Sequence, residues 1–171
     1  DEKHFYIQPP TLDFNSDMVE VHGITAEQVK GEKKFNEIWD EIKGFFNDFN
    51  VFVAHNAQFD MTVLHACLKE YEIDFPDFRY IDSITISTIV CRGQGIGNSL
   101  KERLDYFGIP LENHHDALAD AKATAELVIS CVKSKNRQSL EAYCRTYRSV
   151  PIRFFSELKP NRFFGKRKKT N

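Results

Sequence analysis

The chain has 171 residues, 42% hydrophobic and 28% charged, which fits one globular domain with a real core plus an appendage and excludes a disordered polypeptide. No apolar run approaches membrane-spanning length and no signal-peptide pattern opens the sequence, so the expected setting is cytoplasmic, with no membrane contact. The formal charge of −2 hides an asymmetry: residues 133–171 hold twelve Lys and Arg against two acids, whereas the preceding residues hold eleven bases and twenty-three acids.

In chain order, His4-Phe5-Tyr6-Ile7 alternates as a strand would and is stopped by Pro9-Pro10. Val19 to Thr25 carries a tight turn at Gly23, and Thr25 with Gln28 forms a capping-box pattern for a short helix. From Lys34 to Phe49, the residues Phe35, Ile38, Trp39, Ile42, Phe45, Phe46 and Phe49 mark one face of a predicted helix.

Val51 to Ala54 is a short β-branched and aromatic run, the pattern of a buried strand. His55, Asn56 and Ala57 end it, and a helix from Ala57 to Tyr71 follows at once, with Asp60 in its first turn. Asp60 therefore stands at the C-terminal edge of a sheet, where α/β proteins bind ligands, although an acid in a first turn also suits the helix dipole. Asp74 to Asp77 is a turn around Pro76, and Arg79 to Ile84 reads as a second strand ending near Asp82. Asp82 has two readings: a residue that supports the site, or a turn cap. Ile84 to Cys91 reads as a helix and Arg92 to Asn98 as a Gly-rich loop without the context of a dinucleotide fingerprint. Ser99 caps a helix through Phe107 that Gly108 and Pro110 terminate.

His114-His115-Asp116 leads into a helix running to about Lys133, capped by Asp116, with Asp120 just inside it and Ala117, Ala121, Leu127, Val128 and Cys131 predicted buried. Leu140, Tyr143, Cys144 and Tyr147 mark a last amphipathic helix, and a Phe-rich basic segment ends in Lys166 to Lys169. That segment has the composition to track a nucleic-acid backbone or dock on a partner, while the Tyr face of the helix is expected to pack on the core. The four cysteines are widely spaced and read as free thiols.

Two helices thus start at His-bearing loops and each places an Asp in its first turns. Converging carboxylates with open coordination suit a hard divalent cation, and a nearby His can take a proton from water.

His55-Asn56-Ala57-Gln58-Phe59-Asp60 resembles the H-N-x-x-F-D motif of the DEDDh 3′–5′ exonucleases, and His115 to Asp120 resembles their H-x-A-x-x-D motif. Order and separation also fit, as does Val21-His22-Gly23-Ile24-Thr25, and the likeness is greatest to the exonuclease (epsilon) subunit of DNA polymerase III and its relatives. The resemblance implies an α/β, RNase H-like exonuclease fold with a mixed central sheet flanked by helices. It implies two divalent cations, Mg or Mn, held in part by Asp60 and Asp120, with His115 as general base. It places the His22-Gly23-Ile24 turn near the 3′-terminal nucleotide and implies release of nucleoside 5′-monophosphates from a single-stranded DNA 3′ end; Phe59 is expected in the core, at a position near enough to the site to touch a base. An RNA substrate, or a catalytically inactive module that binds nucleic acid or a DNA polymerase subunit, are the alternatives. Residues 1–133 would form the exonuclease domain and 134–171 a basic C-terminal extension.

One departure stands out. The family's D-x-E motif, on the central strand of its sheet, has no counterpart here: Asp1-Glu2 has the wrong spacing. The expectation is a domain lacking its N-terminal strands and inactive in this form.

Overall fold

The computed structural model describes residues 2–47, 49–111 and 116–161. The described residues form a sheet of three strands in the order β1-β2-β3: β1 (Val51–Ala54) runs parallel to β2 (Arg79–Asp82), and β3 (Arg153–Phe154) is antiparallel to β2. The link from β1 to β2 is α4 (Ala57–Glu70), as a parallel crossover requires. The remaining helices are α1 (Ser16–His22), α2 (Ala26–Val29), α3 (Phe35–Ile42), α5 (Ser83–Cys91), α6 (Leu100–Phe107), α7 (Ala117–Ser134) and α8 (Leu140–Thr146). Among the described residues no helix is long and apolar enough to cross a membrane.

Alternation along the strands splits the core in two. Val51, Val53 and Ile81 face one cluster, built on Leu104, Leu127, Cys131 and Tyr143. Phe52, Ala54 and Tyr80 face the other, where the Phe residues are concentrated. There Trp39, Phe46, Phe52, Phe78 and Phe155 form a continuous aromatic run, each ring centroid within 4.5–5.1 Å of the next. The last member is 3% exposed, so Phe155 ties the described residues after Pro151 to the core. The Tyr face of α8 packs as expected: Tyr143 is fully buried and its hydroxyl donates to the Ile86 carbonyl at 2.9 Å.

Local signals placed most elements. Thr25 and Ser99 close capping boxes with Gln28 and Glu102, and Gly108 adopts the left-handed conformation that ends α6. All four cysteines are free thiols, three of them buried.

Three expectations need correction. His4 to Ile7 forms no strand; the isolated bridge of Gln8 with Lys34 is the pairing there, because among the described residues no strand lies beside residues 4–7. The helix expected to reach Phe49 ends at Ile42 and passes into a 3-10 turn, Lys43–Phe45. That turn swings Phe46 into the aromatic run and leaves Phe45 and Phe49 47% and 86% exposed. Ala117 and Ala121, expected to be buried, are exposed, because the flank of α7 they occupy lines an open cleft.

Candidate active site

The cleft has a volume of about 430 Å³ and opens at the C-terminal end of β1, between that strand and α7. Val53, Ala54 and His55 form one wall, and Ala117, Ala121 and Thr124 the other. Asp60 and Asp120 both line it, from the first turns of α4 and α7. Carboxylates 60 residues apart in the sequence thus share one solvent-filled space. β1 pairs with β2 alone among the described strands, so its other edge stays open.

The turn that aims Asp60 is held from three sides. Asn56 adopts a left-handed conformation (φ 63°), unusual for a residue with a side chain, and its backbone N–H donates to Asp82 Oδ1 at 3.1 Å. The same oxygen accepts from Ile84 N–H at 2.8 Å, capping α5. His55 is fixed at both ring nitrogens, by Ser83 Oγ and by the Asn98 carbonyl, each at 2.8 Å. His55 and Asn56 therefore brace the turn. Asp82 is its clamp and also caps α5.

Electrostatics mark Asp60. The mass of protein around its carboxyl group raises its pKa to about 6, against its own backbone N–H, and the negative charge of Asp82 adds to the rise. Asp60 keeps contact with solvent at the mouth of the cleft, but the crowding around its carboxyl outweighs that exposure. A cation bound there would reverse the penalty.

Hard oxygen donors of this kind fit Mg or Mn, and Asp60 and Asp120 would hold part of such a site. Among the described residues, no group of three or more His, Cys, Asp or Glu gathers closely enough to hold a metal ion. The described ligand set is therefore partial. His115 lies outside the described residues. The His22-Gly23-Ile24 turn ends α1, with Gly23 left-handed (φ 70°) and Ile24 N–H donating to His22 Nδ1 at 3.0 Å. That turn does not line the cleft, and neither does Phe59, which is 54% exposed on α4. Leu100 and Thr124 do line it and were not anticipated. Thr124 stands one helical turn beyond Asp120, a spacing that could have indicated it.

The sequence profile described as Exonuclease matches residues 1–128. The chain belongs to the exonuclease family. Among its relatives, the PolC-type DNA polymerase III of Thermotoga maritima is 30% identical over 134 residues, which is 78% of this chain and 9% of that protein. The PolC-type DNA polymerase III of Streptococcus pneumoniae is 32% identical over 117 residues, 67% of this chain and 8% of that protein. The chain thus spans less than a tenth of the length of these relatives. Two solved structures share the RNase H-like exonuclease fold. Exonuclease X in complex with 5′ overhanging duplex DNA aligns with a TM-score of 0.60 at 21% identity, covering 81% of this chain and 76% of that one. Cell-death related nuclease 4 aligns with a TM-score of 0.64 at 15% identity, covering 91% and 68%.

Proposed function

We propose that this exonuclease domain is of the DEDDh type and acts on DNA 3′ ends in the 3′–5′ direction, releasing nucleoside 5′-monophosphates. The observation that carries the reading is the convergence of Asp60 and Asp120, two first-turn carboxylates from different helices, on one open cleft. Divalent cations, when bound, would stabilise charge on the attacking and leaving oxygens of an in-line displacement. Asp60 and Asp120 would hold them, His115 would take the proton of the attacking water, and the His55–Asn56 turn would keep Asp60 in place. The PolC-type relatives and the DNA-bound neighbour support DNA over RNA, and the relatives support a polymerase as a candidate partner.

Among the described residues two carboxylates line the cleft, and two alone give too little negative charge to hold two cations against their mutual repulsion. The 171-residue chain is therefore expected to hydrolyse little. The test is digestion of a 5′-labelled single-stranded DNA with Mg or Mn, by this chain and by one lengthened before residue 1 with a strand bearing Asp-x-Glu. Mononucleotide release by the longer chain, lost on His115→Ala, supports the reading. Release that survives both Asp60→Ala and Asp120→Ala refutes it. The partial ligand set also favours a second reading, a binding module without catalysis, and a longer chain that binds DNA yet never cleaves it would establish that one.

A further inference from the structure

A second cleft, of about 400 Å³, opens at the opposite end of β2 from Asp82. Arg79, Arg145 and Arg148 line it with Glu141, over apolar ground supplied by Val150 and Ile152. Arg79 is the first residue of β2, three strand steps of about 3.3 Å, or about 10 Å, from Asp82. Arg145 lies in the last turn of α8 and Arg148 in the turn just after it.

Three guanidiniums face one carboxylate, and that carboxylate is largely engaged elsewhere. Glu141 is held below the usual carboxylate range first by its own backbone N–H and by the Ser139 hydroxyl, and only then by Arg145 and Arg79. Among the described residues none of the three arginines forms an ion pair within 4.0 Å. Arg79 spends one terminal nitrogen on the Phe49 carbonyl at 3.3 Å, while its Nε is buried with no hydrogen-bond partner. A buried donor without an acceptor is costly, and guanidiniums match phosphate oxygens two at a time. The space is too small for a folded partner and ample for a phosphate with its sugar, whose carbons would rest on Val150 and Ile152.

We propose that the cleft of Arg79, Arg145 and Arg148 is a second phosphate-binding site, which holds a backbone phosphate of the bound nucleic-acid strand away from the cleavage cleft. The assignment of the ligand to a nucleic-acid strand rests on the nuclease reading above. The chemistry it needs, a phosphate ester, is shared by free mononucleotides, so the test separates the two sources.

The whole 171-residue chain is titrated onto a fluorescein-labelled oligothymidylate in EDTA, with anisotropy read from low to high salt. Arg145→Ala with Arg148→Ala should flatten the plot of log affinity against log salt by about 0.7 per lost phosphate contact. Both side chains are exposed, so the double variant should fold, which circular dichroism checks. Arg79→Lys, which keeps the charge and loses the fork, should weaken binding and leave the slope nearly unchanged. An unchanged affinity and slope in the double alanine variant overturns the proposal while leaving the nuclease reading intact. Failure of the unmodified chain to bind the oligonucleotide overturns both. Deoxythymidine monophosphate or inorganic phosphate binding that depends on these arginines, with no effect of the variants on oligonucleotide binding, overturns the strand assignment alone.

Discussion

Asp82 and Asn56, at the ends of adjacent parallel strands, are joined by a single carboxylate oxygen that also caps α5. One side chain thus holds a left-handed turn closed, starts a helix, and places a negative charge beside Asp60.

Those roles separate by substitution. Asp82→Asn keeps an acceptor oxygen and removes the charge, so it should cost about 1 kcal/mol; Asp82→Ala removes both bonds and should cost about 2–3 kcal/mol. Urea unfolding measures the difference. In Asp82→Asn the Asp60 carboxyl should also titrate lower, visible by carbon-detected NMR. Equal stability of the two variants would show that the clamp contributes nothing.

The raised pKa of Asp60 sets a pH dependence. The folded metal-free protein binds the Asp60 proton up to about pH 6, whereas the unfolded chain releases it near the ordinary aspartate value of 3.8. Stability from this group therefore falls as pH rises from about 4 to 6, and the full deficit is present above 6. Asp60→Asn should remove the deficit. After discounting for the solvent-facing side of the carboxyl, Tm at pH 7.5 should rise by about 2–4 °C, with little change at pH 4. A drop in Tm at pH 7.5 would contradict the electrostatic account.

Cation binding gives an independent reading of the cleft. Manganese titration followed by electron paramagnetic resonance should find weak binding by the 171-residue chain. Asp60→Ala or Asp120→Ala should weaken it by about 10-fold or more. Equal binding in all three would place the cation elsewhere.

Tyr143, a buried residue that does not line the cleft of Asp60 and Asp120, offers a control. Tyr143→Phe removes the buried hydrogen bond to the Ile86 carbonyl and should cost about 1 kcal/mol, without changing manganese affinity.

Much of this was legible where a residue's function is local. Asp60 and Asp120 could be assigned to helix starts because a strand end, a cap and an apolar period surround each of them. The capping boxes at Thr25 and Ser99 are three-residue signals and were read as such. What escaped depends on distant partners. Residues 4–7 alternate like a strand, but alternation supplies no neighbour to pair with. Strand β3 is two residues long, set by Phe155 stacking on Phe78, and no period can show in two residues. The arginine cleft joins Arg79 to residues more than sixty positions later, with nothing in either stretch to announce the other. Helix α1 had a readable cap in Asn15, whose side chain accepts from Asp17 N–H, yet its Val-Glu-Val-His sequence has no helical apolar stripe.

The two sides of the sheet are unequal among the described strands. On one, the two residues of β3 offer too short a template for further pairing; on the other, the four residues of β1 present their backbone groups unpaired. Growth of the sheet is thus possible in one direction only. Two molecules that met through β1 would each be left with a blunt outer side, so such association would end at a pair and could not propagate into a fibre.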